Sequence, residues 1–321
     1  AREPLLAGLE AFHRERMAKV PSAAAYPEAA PWVAHILAVD RELQAIAGLS
    51  DRQMAILRSL GPYLMFRGYL HARAVPAGPP ATAEKCRVAF LPATDQGRLH
   101  IKNVDDPLTF WTPRPAPATL PKSGPLVLDG VGFGLHIDDE PAEIFPLDPR
   151  AMVRHYADDV PGAVAFLTRY RTFWGSANLL LQDAQGRAAA IEKPSYNFIE
   201  VFGPDRCGAY HISGMTCRDQ ASPQAQYVAA KRRQMLALYG QPEDCCDVAY
   251  WNSATAYGEK LAGFLDRPAS PTVQETLDFF TTPAPDGLNK WGAQFHPDQG
   301  YRHYTLVTEA ALLDRRRFLR W

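Results

Sequence analysis

The stretch from Cys86 to Asp105 reads C-R-V-A-F-L-P-A-T-D-Q-G-R-L-H-I-K-N-V-D and leaves the chain few choices of fold. Cys86, Val88 and Phe90 alternate with the period of a strand. Asp95-Gln96-Gly97 is a turn signal, after which Leu99 and Ile101 resume the alternation. An antiparallel pair sets the first residue of one strand near the last residues of the other. The hairpin is therefore expected to bring a thiol (Cys86), an amide (Asn103) and a carboxylate (Asp105) within reach of one another. Before it, Val75 to Lys85 is a Pro/Gly/Ala connector without a period, expected to be exposed. A thiol at the mouth of a hairpin, behind an exposed connector, suggests a nucleophile unmasked by cleavage between Lys85 and Cys86.

The segment before Cys86 is expected to be mostly helical. Residues 3–19 place Leu5, Leu6, Leu9, Phe12 and Met17 roughly on one face, and residues 31–47 begin with Pro31 in a first turn. Ser50-Asp-Arg-Gln53 reads as a capping box that opens a third helix to about Ser59, and Gly61-Pro62 breaks it. After Cys86 strands dominate. Residues 112–125 are a Pro-rich loop, and Leu126 to Ile137 reads as a Gly-containing hairpin. Its Gly132-Phe-Gly134 precedes no helix and is not a dinucleotide loop. Helices are expected over 147–156, with Asp148-Pro149 as cap and first turn, and over 161–170. Strands follow at 177–182 and 187–193 around the turn Asp183-Ala-Gln-Gly186, then at 197–202 and 208–213. Helices are expected from Ser222 to Tyr239 and from Thr272 to Phe280, with 246–265 irregular or helical. The last strands are Gly292 to His296 and Arg302 to Glu309, and residues 310–321 form a turn and a further strand. This order gives an α+β fold of packed antiparallel sheets with helices outside. It divides the chain into a helical segment, 1–85, and a larger domain, 86–321.

A net charge of −1 with 21% charged residues recruits neither nucleic acid nor an anionic membrane. Apolar residues at 47% suit a globular core, and no apolar run is long enough to span a bilayer. The five cysteines are odd in number and make no C-x-x-C zinc pattern, so free thiols in the cytoplasm and no metal are expected.

Taken together, these motifs resemble the Cys-type N-terminal nucleophile hydrolases, and within them the acyl-coenzyme A:6-aminopenicillanate acyltransferase and carcinine hydrolase group. That family cuts its own precursor just before a Cys and carries an Asn-x-Asp about nineteen residues on, here Asn103-Val104-Asp105. Gly175 to Glu192 looks like the family's hairpin with a D-x-x-G turn, and Gly208 to Ser213 takes the place of its usual Thr-Asn-His segment. Where the family has Gly before the nucleophile and Thr or Ser after it, this chain has Lys85 and Arg87. The resemblance implies a four-layer αββα sandwich and an amide hydrolase or N-acyltransferase acting on a small molecule. Cleavage would leave two fragments, which form a heterodimer unless the chain is a homo-oligomer. No cofactor is implied unless an acyl-coenzyme A is the acyl donor.

In that reading Cys86 attacks as a thiolate and its own freed amine takes the proton. Asp105 holds the ammonium and Asn103 positions the loop or the substrate carbonyl. Tyr210 or His211 joins a backbone N–H as an oxyanion donor. Asn178, Glu192 and Arg302 are further candidates for substrate binding. Two alternatives remain. One is an uncleaved Cys/His enzyme with His211 or His303 as base. The other is a non-catalytic ligand-binding protein of the same fold.

Overall fold

The computed structural model describes residues 2–20, 22, 24–27, 30–57, 86–107, 126–132, 153, 157–170, 177–193, 199–213, 218–219, 221–223, 225–226, 229–230, 257–283, 286–289 and 303–320. The connector 75–85, the Pro-rich loop 112–125, residues 133–137, the strand at 292–296 and most of the helices at 147–156 and 222–239 lie outside the described residues.

Two antiparallel sheets make up the centre. Among the described residues the first has five strands in the order β7-β1-β2-β8-β9: β1 (Arg87–Leu91), β2 (Leu99–Pro107), β7 (Tyr210–Ser213), β8 (His303–Leu312) and β9 (Arg317–Arg320). The second has the order β3-β4-β5-β6: β3 (Leu126–Gly132), β4 (Ala177–Asp183), β5 (Ala188–Lys193) and β6 (Glu200–Phe202). Strand alternation decides which side chains go where. Val88, Phe90 and Ile212 of the first sheet meet Leu180 and Ala190 of the second, so these faces pack on each other. His100 and Gln182 join them across the same interface, with Gln182 Nε2 3.0 Å from His100 Nδ1, both residues fully or almost fully buried.

The opposite faces are covered by helices. Ala89, Leu91, Leu99 and Ile101 pack under the helical residues 257–265 and under α4 (Val273–Thr281) through Leu261, Leu277 and Phe280. Leu179, Leu181, Ala189 and Ile191 pack under α3 (Val160–Arg169) through Val160, Phe166 and Leu167. Each fully buried valine, leucine, isoleucine or phenylalanine side chain among these contributes about 1.5–3 kcal/mol of hydrophobic free energy. The result is a mixed fold of two antiparallel sheets flanked by helices.

Local chemistry sets the ends of these elements. α4 begins at a reciprocal capping box, Thr272 with Glu275, and α3 begins at Asp159, whose side chain accepts from the Gly162 N–H. Asp183 closes the β4–β5 turn by accepting from the N–H groups of Gln185 and Arg187, and it also accepts from the first N–H of α3. In the β1–β2 turn Gly97 is left-handed (φ 94), and a Cβ there would collide with the Asp314 carboxylate that binds Arg98.

The N-terminal helices α1 (Arg2–Ala18) and α2 (Ala30–Ile46) and the helical residues 51–57 lie outside the sheets. Leu9 and Phe12 of α1 pack with Ile56, and Arg52 pairs with Glu3 and Glu10. Tyr26 and Val33 pack against the α3 cluster; the Tyr26 ring meets Tyr170 edge-on at 5.7 Å. Among the described residues no helix is long and apolar enough to cross a membrane.

Candidate functional site

Cys86 stands immediately before β1, the strand paired with β7 on one side and β2 on the other. Its φ of 68 is left-handed, a conformation that costs a non-glycine residue about 1–2 kcal/mol. The residue is a thiol, not half of a disulfide, and is 7% exposed. Its side chain clusters with Val88, Phe90, Leu180, Ala190 and Ile212, on the face that meets the second sheet.

Arg87 points the other way, toward the helices. It is fully buried, and its Nη1 donates to Asp105 Oδ2 at 2.8 Å. The guanidinium lies 4.9 Å above the Tyr257 ring. Thr305 Oγ1 donates to the second oxygen, Asp105 Oδ1, at 2.8 Å. The hairpin register explains the pairing. Arg87 faces Asn103, and Asp105 follows two residues on, on the same face of β2.

Asn103 is also fully buried. Its Nδ2 donates to the carbonyls of Phe280 (3.1 Å) and Leu288 (3.3 Å), and its Oδ1 accepts from Thr308 Oγ1 at 2.8 Å. Asn103 thus fastens the C-terminal end of α4 and the turn after it to the sheet. Thr305 and Thr308 reach one face because the β2–β8 register shifts between Val104 and Asp105: Val104 faces Val307, Asp105 faces Thr305, and Leu306 is the extra residue.

A second polar cluster lies where β4, β5 and β7 meet. Asn178, fully buried, donates from Nδ2 to the Ser213 carbonyl at 2.6 Å and ties the two sheets together. Across from it in the register is Glu192, whose two carboxylate oxygens accept from the Arg218 N–H at 3.0 and 2.8 Å. Burial pushes the Glu192 carboxyl up to about 7, against the pull of Arg218 and with help from Glu200 and Asp219. Arg218 donates from its side chain to the His211 carbonyl and lies over the Phe202 ring. His211 Nδ1 donates to Asp205 Oδ2 at 2.7 Å, and burial pushes this imidazole below its ordinary value. Tyr210 is half-buried beside Phe90, and burial pushes its phenol up.

The structure therefore gathers Cys86, Asn103 and Asp105 on adjacent strands but divides their side chains. The thiol faces the second sheet, whereas Asn103 and Asp105 face the helices. The Asp105 carboxylate accepts from Arg87 and from Thr305. Arg87 supplies the cation on this face. His211 shares its face with Ala89, its register partner, so its ring and the Cys86 thiol lie on opposite sides of the sheet. Lys85 and Arg302 lie outside the described residues, as does the side chain of His303.

Several participants carried no signal in the sequence. Arg87 follows the thiol and in the sequence is only a departure from the resembling family's Thr or Ser. Thr305 and Thr308 share a face only because of a bulge. Asp205 and Arg218 lie in a turn and after a strand, where exposed charges are ordinary. Among the described residues no group of three or more His, Cys, Asp and Glu side chains is placed to hold a metal ion. Comparison with models of known families and with curated proteins finds no match for the chain.

Proposed function

We propose that this chain is a cysteine-nucleophile amide hydrolase or N-acyltransferase of the N-terminal nucleophile type, built on that family's four-layer αββα sandwich. It acts on a small-molecule amide through an acyl-thioester on Cys86, after cleavage of the Lys85–Cys86 bond. The observation that carries the reading is the position of Cys86: a left-handed residue at the start of a central strand, with the Asn103 and Asp105 strand beside it. A chain cut there exposes an amine on the same residue as its thiol, and such an amine can accept the thiol proton. Water or a small amine then takes the acyl group from sulfur. The reading needs no organic cofactor beyond an acyl-coenzyme A, should that be the donor.

A second reading is a non-catalytic ligand-binding protein of the same fold. It is favoured by the burial of Cys86 among apolar side chains and by the pairing of Asp105 with Arg87.

Intact-mass measurement with N-terminal sequencing separates the two. The first reading expects two fragments, the second beginning at Cys86, and a Cys86→Ala variant that stays whole. A wild-type chain that stays whole, and whose Cys86→Ala variant binds the same small molecules, overturns it in favour of the second.

A further inference from the structure

The ion pair of Arg87 and Asp105 lies one residue from the proposed nucleophile, and both side chains are 0% exposed. Burying two charges is costly, and apolar residues of the same volume usually stabilise a core at least as well. Packing alone therefore does not account for an arginine at this position. The contacts also leave the guanidinium little freedom: Asp105 holds it at 2.8 Å, the Tyr257 ring lies under it at 4.9 Å, and Thr305 fixes the carboxylate from the far side. Arg87 is bonded directly to Cys86, so a side chain held this way also holds the Cys86 main chain.

We propose that Arg87 is a positioning residue for the Cys86 site: it balances the Asp105 charge and fixes the adjoining main chain, so that the amine released at Cys86 is an uncharged base at neutral pH. This step rests on the functional reading above. An α-amine ordinarily titrates at about 7.7–8.0. A lone carboxylate beside it would raise that value and keep it as ammonium, which cannot take a proton from the thiol. A compensated carboxylate does not, and burial favours the neutral amine. The proton of the Cys86 S–H bond then passes to the amine nitrogen, leaving thiolate and ammonium on one residue. The charged and titratable groups described on the helix face are Arg87 of β1, Asp105 of β2, Tyr257 beneath them and, along β7, His211 with Asp205 and Arg218. On the thiol's own face they are His100 and Lys102 of β2, Tyr210 of β7, Glu309 of β8 and, from the second sheet, Glu192 of β5 and Glu200 of β6.

The test needs no substrate. The cleaved wild-type protein and its variants are alkylated with iodoacetamide from about pH 5 to pH 9, and modification of Cys86 is followed by peptide mass spectrometry. Arg87→Gln is expected to move the acid limb of the alkylation rate up by about one pH unit, because an uncompensated Asp105 raises both the amine and the thiol. Arg87→Lys restores the charge and is expected to hold the limb within about half a pH unit of wild type. Should Arg87→Gln not fold, the double variant Arg87→Gln with Asp105→Asn buries no lone charge. Its limb is expected to lie near that of wild type; a fall of about one pH unit would show Asp105 acting alone and overturn the proposal. An Arg87→Gln protein that is folded, cleaved and unmoved in its profile also overturns it. A wild-type chain that is never cleaved before Cys86 is a separate result. It sinks the functional reading, and this proposal with it.

Discussion

Thr305 and Thr308 stand three residues apart on one strand, and yet their hydroxyls serve the same face, Thr305 donating to Asp105 and Thr308 to Asn103, each at 2.8 Å. In an unbroken strand residues three apart point to opposite sides. The bulge at Leu306 cancels one step of the alternation and brings both hydroxyls to the buried acceptors.

Thr308→Val removes one donor and leaves the buried Asn103 Oδ1 without it. It is expected to cost about 1–3 kcal/mol. Asn103→Leu should cost more than Thr308→Val, because it strips the Phe280 and Leu288 carbonyls and the Thr308 hydroxyl of partners at once. Urea titrations of both variants check the order.

Glu192 gives a stability that falls as pH rises. Its carboxyl is pushed up to about 7, so the folded chain holds that proton more tightly than the unfolded chain, where the ordinary value of 4.5 applies. The contribution is fully present below about pH 4.5 and is lost through pH 7. Glu192→Gln, which keeps the shape without the charge, should therefore gain on wild type as the pH rises from 4.5 to about 7. The gain is on the order of 1.4 kcal/mol for each pH unit crossed, a few kcal/mol in all. Thermal melts of the two proteins across that range show the gap opening or not.

His211 behaves in the opposite sense. Burial lowers its pKa despite the Asp205 carboxylate, so the folded chain prefers the neutral ring. This contribution is present above the ordinary value of 6.5 and is lost as the pH falls below it. Nuclear magnetic resonance should find the ring less charged at pH 6.5 than a free imidazole, with its proton on Nδ1 toward Asp205. A ring at least as charged as a free imidazole at that pH would contradict its burial.

The left-handed backbone at Cys86 has its own signature. Glycine takes φ near 68 without the Cβ clash, so Cys86→Gly should be more stable than Cys86→Ala by about 1 kcal/mol. At an ordinary strand position the order reverses, since glycine loses more chain entropy. A pair of calorimetric scans decides it.

The hairpin was legible because a two-residue period and a turn triplet are local signals. Cys86 to Asp105 pairs in the register that the alternation implies, from Arg87 facing Asn103 to Leu91 facing Leu99. The D-x-x-G turn at Asp183, the strands either side of it and the helix beginning at Thr272 were readable for the same reason. The sequence could not say which way the interior charges turn. Cys86 and Asp105 are near neighbours along paired strands, but the face each one takes depends on the second sheet and the helices, which are distant in the chain. Arg87 looked like a departure from a pattern, and only the fold shows it buried against Asp105. The Leu306 bulge was invisible for a further reason: a skipped partner belongs to the pairing of two strands about two hundred residues apart, not to either strand alone.

The edge-on meeting of Tyr26 with Tyr170 carries a last consequence. It seats Tyr26, and beside it Val33 of α2, on the same apolar cluster that roofs the second sheet, a hold that does not run through the backbone at position 85. Were the chain cut there, this aromatic contact would be one tether between the two pieces.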